Sequence, residues 1–269
     1  DSLRPKTLAN IVGQKNGKER LQICIDSCKS TGEVFPHFLL YGSAGTGKSV
    51  ICQAVGHDLD KNVVIGNGAN ISSIKKLLPY LMNIKEGDIL FIDEVHRMPT
   101  AVIEFLIVVI EEFRVDLGEK GNMSLNIPPF VFCAATTNAG LIPKPLFDRF
   151  VLRIPLELYS VEELQQIVSN SADKLQISLA NDAKELIAKT SRKTPRVANN
   201  RLKWIRHYSL SKNLNVIKKS DVEDALKLEG VDNNGIDSND RKYIETLKKH
   251  EPAGINTLSA SSNLSIDQI

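Results

Sequence analysis

The run Gly42-Ser43-Ala44-Gly45-Thr46-Gly47-Lys48-Ser49 has every residue that a phosphate-binding P-loop requires, at the required spacing. Gly42, Gly45 and Gly47 let successive backbone N–H groups turn inward around an anion, and Thr46 belongs to the same cradle. Lys48 carries the one ammonium that would reach the β- and γ-phosphates, and Ser49 has the hydroxyl that would ligate Mg²⁺. The run follows the apolar segment Phe38–Tyr41 and precedes a helical pattern in which Ile51, Ala54 and Val55 face inward. That strand–loop–helix context separates a nucleotide site for ATP or ADP from a chance glycine-rich turn.

A second group of residues has the chemistry to use such a nucleotide. Asp93 and Glu94 end the fully apolar run Ile89–Ile92, which reads as a central parallel strand. Asp93 would complete the Mg²⁺ shell and Glu94 would orient the attacking water. His96 reads as a structural neighbour of that pair. Thr136, Thr137 and Asn138 end a further apolar strand, Phe130–Ala135, and should face the same crevice. Thr137 is favoured for contact with the γ-phosphate or the water, with Asn138 as its rival. Arg149, in Asp148-Arg149-Phe150, follows a Pro-flanked helical turn and could reach a neighbouring subunit's nucleotide; a surface ion pair with Asp148 is the plainer alternative. Pro195 and Arg196 open a later helix, from which Arg196 could touch the phosphates.

Positioning these residues takes a doubly wound α/β sheet. Helical and strand patterns alternate through the first two-thirds of the chain: a helix over 16–29, strands at Phe38–Tyr41, Asn62–Ile65, Ile89–Ile92 and Phe130–Ala135, and helices between them. Pro99 is expected to open the helix that ends near Glu112, and 114–127 reads as a β-hairpin turning at Gly118–Gly121. Beyond Pro155 the pattern is helical, without convincing strands. The expected domains are therefore 1–157, a P-loop ATPase domain; 158–230, an all-helical lid; and 231–269, an incomplete third domain.

Bulk properties exclude several classes. The chain has 269 residues, 42% of them hydrophobic and 25% charged, with a net charge of +2, as expected of a globular protein of about two domains. No apolar run approaches a membrane span, so no membrane association is expected and a cytoplasmic location is. The chain begins at Asp1 with no initiator Met and no signal peptide, the pattern of a trimmed segment. Cys24, Cys28, Cys52 and Cys133 lack zinc-ligand spacing and read as buried thiols. A basic stretch, Arg192, Lys193, Arg196, Arg201, Lys203, Arg206 and His207, is either a solvated helix face or a surface for phosphates.

Taken in order, these pieces resemble the RuvB family, the Holliday-junction branch-migration ATPases of the AAA+ class. The resemblance rests on Leu3-Arg4-Pro5 with Ile11-Val12-Gly13-Gln14, the P-loop, Phe91-Ile92-Asp93-Glu94-Val95-His96-Arg97, Pro128-Pro129-Phe130, Ala135-Thr136-Thr137, Asp148-Arg149-Phe150, and Thr194-Pro195-Arg196-Val197-Ala198-Asn199. It implies that Thr137 is sensor 1, Arg149 the arginine finger and Arg196 sensor 2. Arg4, Pro5, Ile11, Val12 and Tyr159 would line the adenine pocket. It further implies a hexameric ring around duplex DNA, a RuvA partner that grips the 114–127 hairpin, and a partial winged helix from Ile236 onward. The family pattern is Gly-Pro-Pro-Gly-Leu-Gly-Lys-Thr; Ser43, Ala44, Thr46 and Ser49 depart from it without removing a required group. Asn138 stands where an arginine is usual, and the hairpin is shorter than the family's. The shortened hairpin keeps a second reading open, a nucleotide-gated switch or loader that holds a protein partner without moving along DNA.

Overall fold

The structure, a computed structural model, describes residues 3–117, 123–249 and 254. It divides into two compact units, Asp1–Leu158 and Tyr159–Ile269.

In the first unit, helix α1 (Lys15–Thr31) turns Leu21 and Ile25 inward and stops at Gly32, whose left-handed φ of 76° lets its N–H bond the Cys28 carbonyl. Strand β1 (Phe38–Tyr41) leads through the P-loop into α2 (Lys48–Asp58). Then come β2 (Val63–Asn67), α3 (Ile74–Met82), β3 (Ile89–Asp93) and α4 (Thr100–Glu112). Pro99 is the N-cap residue of α4, one position before the first helical residue it was expected to occupy. An antiparallel hairpin, β4 (Arg114–Leu117) and β5 (Met123–Asn126), pairs Val115 with Leu125; its expected turn at 118–121 lies outside the described residues. Strand β6 (Val131–Thr136), the short α5 (Lys144–Phe147) and β7 (Leu152–Pro155) close the unit.

Five of these strands form one parallel sheet in the order β2-β3-β6-β1-β7. Several of its details depart from the sequence expectation: β3 runs one residue further, to Asp93, and β6 is shifted one residue on from Phe130–Ala135. β2 starts and ends later than Asn62–Ile65, and β7 was not anticipated at all. Only Leu152 and Ile154 of β7 are buried, and four half-buried residues ending in proline carry too weak an alternation to stand out.

Strict period-two packing gives the sheet a core on each face. Leu39, Leu90, Ile92, Phe132 and Ala134 pack toward α3 and α4. Phe38, Leu40, Ile89, Phe91, Val131, Cys133 and Ala135 pack toward α1 and α2. Both faces are covered, which is why these strands read as continuous apolar runs.

The second unit packs α6 (Val161–Leu175), α7 (Asn181–Lys189), α8 (Pro195–Ser211) and α9 (Lys219–Leu228) around Leu164, Val168, Ile187, Leu202, Ile205 and Val222. Ser160 caps α6 reciprocally with Glu163, fixing where the helix begins. A single parallel bridge joins Leu179 and Ile217, a small exception to the all-helical expectation. Of the expected winged-helix segment, the described part is a turn at 232–236 and α10 (Ser238–Lys249). The rest of that expectation lies outside the described residues.

Candidate functional site

Because the sheet is parallel, the carboxyl ends of β1, β6 and β3 share one edge, with β6 between the other two. The P-loop leaves β1 there. Gly42, Gly45 and Gly47 have φ of 144°, 81° and 104°, values that only glycine adopts without strain. At Gly42 a Cβ would lie 2.3 Å from the Leu156 carbonyl oxygen, so the loop's first residue is held against the backbone beyond β7. Gly42 also donates its N–H to the Thr136 carbonyl at 3.2 Å, tying the loop to the end of β6. Thr46 is fully buried and its hydroxyl donates to the Ser43 carbonyl at 2.8 Å. Lys48 is 7% exposed and donates to the carbonyls of Gly42 (2.7 Å) and Ser43 (3.1 Å). A buried ammonium folded into a ring of backbone, at the N-terminus of α2, forms a site for polyanionic phosphate. Ser49, the second residue of α2, is partly exposed beside it. The donor set fits a nucleoside triphosphate with Mg²⁺: ammonium, loop N–H groups, one hydroxyl and the Asp93 carboxylate.

Asp93 is the last residue of β3, and its carboxylate accepts the Glu94 N–H at 3.0 Å. Glu94 itself has φ 49°, an unusual left-handed conformation for a non-glycine residue. That turn aims its carboxylate across to β6. There it accepts the Thr137 hydroxyl at 2.9 Å and lies 3.4 Å from the Thr137 N–H. His96 Nδ1 sits 3.3 Å from the same carboxylate oxygen and 2.8 Å from the Thr136 hydroxyl. Thr137 and His96 thus hold the Glu94 carboxylate, and Thr136 in turn holds His96. Between the rivals, Thr137 reaches Glu94, while the Asn138 backbone exchanges hydrogen bonds with Thr136. His96, read from the sequence as a structural neighbour of the pair, touches Glu94 directly.

Two positions that sequence reasoning missed support this arrangement. Gly68, just past the end of β2, lies under Glu94: a Cβ there would be 2.3 Å from the Glu94 carbonyl oxygen. Its signal was a glycine one residue beyond a strand that pairs Asn67 with Asp93. The other is Glu111. Arg149 forms its ion pair with Glu111 in the last turn of α4, rather than with Asp148. Asp148 instead lies 3.7 Å from Arg153, whose guanidinium stacks on Phe147 at 4.1 Å. No sequence pattern links residues 111 and 149; only the packing of α4 against α5 brings them together.

Arg149 is not at the P-loop edge of its own sheet. It precedes β7, whose first residue, Leu152, pairs with Phe38 at the start of β1. Three residue steps of strand, about 10 Å, separate that level from Tyr41, where the P-loop begins. Arg149 and the chain's own P-loop are therefore at opposite ends of the strands.

The remaining expected residues fall on both units. Arg4 is exposed, Pro5 and Val12 are partly buried, and Ile11 packs in the core beneath α1 and α2. Tyr159 is 4% exposed in the core of the second unit, where its N–H donates to the Lys193 carbonyl. Pro195 is the first residue of α8, and Arg196 beside it is exposed. The basic stretch does not form one face. Arg201 is buried, and burial pushes its guanidinium below its ordinary range. Arg192 pairs with Asp237 (2.6 Å) and with Asp240, leaving Lys193, Arg196, Lys203 and His207 exposed. All four cysteines are free thiols, but only Cys52 and Cys133 are buried; Cys24 and Cys28, expected to be buried, are partly exposed on α1, and Cys133 is pushed well up by its burial and by neighbouring Cys52. Among the described residues no helix is long and apolar enough to cross a membrane.

Comparison with known proteins agrees with this geometry along the whole chain. Residues 3–156 match the family described as Holliday junction DNA helicase RuvB P-loop domain, and residues 159–232 match the RuvB AAA lid domain. The chain is 40% identical to the Holliday junction branch migration complex subunit RuvB of Rhodopirellula baltica, with all of this chain and 75% of that protein aligned. It is 37% identical to the Kosmotoga olearia protein of the same name, again along its whole length and over 81% of the relative. Its fold superposes on the Thermotoga maritima RuvB Holliday junction branch migration motor with a TM-score of 0.92 at 33% identity, covering 100% of this chain and 88% of that one. With the P-loop, the Asp93–Glu94 pair and Thr137 at one edge of a parallel sheet, Arg149 ahead of β7, and a helical lid domain later in the chain, the chain belongs to the RuvB family of Holliday junction DNA helicases.

Proposed function

We propose that this chain is an ATP-hydrolysing motor that drives branch migration of Holliday junctions in recombination and repair, and that its ATP sites are completed between subunits. The observation that carries the reading is the division of the catalytic groups between the two ends of one sheet. Lys48, Ser49, Asp93, Glu94 and Thr137 gather at the carboxyl edge, whereas Arg149 stands at the other. Lys48 and the loop N–H groups bind the triphosphate. Ser49 and Asp93 hold Mg²⁺, which neutralises phosphate charge when bound. Glu94, aimed by Thr137 and His96, orients and polarises the attacking water. Arg149 cannot reach its own P-loop across the sheet, so it serves the site of a neighbour, where such a residue contributes about 10³–10⁵ in rate.

A closed ring, hexameric as the family resemblance implies, satisfies every site at once, because a head-to-tail interface that closes leaves no finger unused. Arg4, Pro5, Ile11 and Val12 receive the adenine. Duplex DNA is the track, a RuvA-like junction-binding protein docks on the 114–127 hairpin, and a cytoplasmic location follows from that substrate. The names of the relatives, each a branch migration complex subunit, support this reading.

The test is migration of a synthetic four-way junction with ATP, with and without a RuvA protein. Migration that needs ATP and disappears in Lys48→Ala is expected. Normal ATP turnover with no migration under either condition would contradict the motor and leave a nucleotide-gated switch.

A further inference from the structure

We propose that Glu111 is the positioning residue of the arginine finger: it holds the Arg149 guanidinium in the orientation from which it meets the neighbouring subunit's nucleotide. This rests on the reading of Arg149 as a finger supplied between subunits.

The backbone on both sides of the contact is anchored. Leu146 and Phe150, flanking Arg149, are buried, and the Phe150 ring lies 5.7 Å from that of Phe132 on β6. The Arg149 N–H is bonded to the Leu146 carbonyl at 3.1 Å. Opposite, Val109 and Ile110 bury the inner face of the last turn of α4, and the Ile110 carbonyl lies 3.4 Å from His37 Nε2, just ahead of β1. Only the long side chain of Arg149 is left to be placed, and it is 40% exposed.

Glu111 supplies that placement. Its Oε1 meets Arg149 Nη2, while the neighbouring carboxylate, Asp148, faces Arg153. A guanidinium has five N–H donors in a rigid fork, so one carboxylate oxygen engages one edge and leaves other donors for a phosphate. Fixing the fork before the subunits meet removes rotamer freedom that would otherwise be lost in the transition state. The pair is half-exposed and therefore weak, so it aims the finger without sequestering it.

The test uses mixed assemblies of the full-length chain. Lys48→Ala subunits cannot bind ATP but still donate a finger; Arg149→Ala subunits keep a phosphate cradle but have no finger. Their mixture should recover ATP turnover that neither shows alone. Glu111→Gln, which keeps the shape and removes the charge, is then added to one partner at a time. In the Lys48→Ala subunit, which supplies the finger, it should lower the recovered kcat by about three- to five-fold with little change in KM. In the Arg149→Ala subunit, which has no finger to aim, it should leave the recovered rate within about two-fold. Assembly size and melting temperature, measured on each mixture, separate misassembly from misaiming. Equal effects from either subunit, or none from both, would overturn the role of Glu111, as would a rise in kcat, which would make the contact a restraint. Absence of any recovery with Glu111 intact would instead count against the shared site itself.

Discussion

Substituting Gly68 by alanine perturbs the Glu94 carboxylate, proposed to orient the attacking water, without touching it. The added Cβ would lie 2.3 Å from the Glu94 carbonyl oxygen and 3.0 Å from its carbon. Both atoms at the closest contact are fixed, one on Cβ and one on backbone, so no side-chain rotation relieves them. To restore even a tight 3.0 Å contact the two segments must part by about 0.7 Å, and the segment that gives is the Glu94 turn. Glu94 already sits at φ 49°, and its carboxylate depends on a 2.9 Å hydrogen bond from Thr137. Misplacing a reacting group by about 1 Å costs roughly 10²-fold, so kcat for ATP should fall by about 30- to 100-fold in Gly68→Ala. The phosphate cradle lies on β1, two strands away from β3, so ATP affinity should stay within about three-fold of the parent. Steady-state ATPase kinetics, a titration with a fluorescent ATP analogue and a melting curve make the measurement. Gly140→Ala is the control, since its Cβ would meet only Asn138 Oδ1 at 3.4 Å. A kcat for Gly68→Ala within two-fold of the parent would refute the claim that Glu94 works from the position its backbone now holds.

Two further outcomes follow from the same geometry. Thr137→Val removes the hydroxyl that bonds Glu94, a charge-assisted contact worth about 1.5–3 kcal/mol when lost, so kcat should drop by about ten-fold or more while Thr137→Ser restores it; a faster Thr137→Val would contradict the aiming role. Burial holds the His37 imidazole below its ordinary 6.5, so on acidification the unfolded chain takes up this proton first. The associated stability is complete above about pH 6.5, declines from there toward the lower folded value, and then levels off. The fall in melting temperature between about pH 7.5 and 5.5 should therefore be smaller in His37→Gln, and an equal fall in both proteins would assign the loss to other groups.

Much of the site was legible because its parts are local. The P-loop, the Asp93–Glu94 pair and Thr137 each sit at the end of an apolar strand, and a fully buried strand announces itself in four to six residues. What escaped was whatever depends on contact between distant segments. β7 pairs with β1 through short, half-buried residues, and its identity comes from its neighbour rather than from its own pattern. The plainer alternative for Arg149 was an ion pair next door with Asp148, yet the ion pair spans from residue 149 to 111, because α5 packs on α4 and Asp148 lies against Arg153. His96 was legible as a neighbour of the pair, but not its contact with Thr136, forty residues away along the chain and adjacent in space. The basic stretch looked continuous in sequence, but helical geometry turns Arg201 into the core and leaves Lys203 outside.

The central claim is that Glu94 activates water against a nucleotide held by Lys48 and Asp93 on the same sheet edge. Single-turnover hydrolysis of ATP pre-bound to Glu94→Gln tests it directly. The variant should bind Mg²⁺–ATP as the parent does and cleave it about 10²–10⁴ times more slowly, the usual contribution of a positioned general base. Cleavage at a rate within a few-fold of the parent would contradict the account.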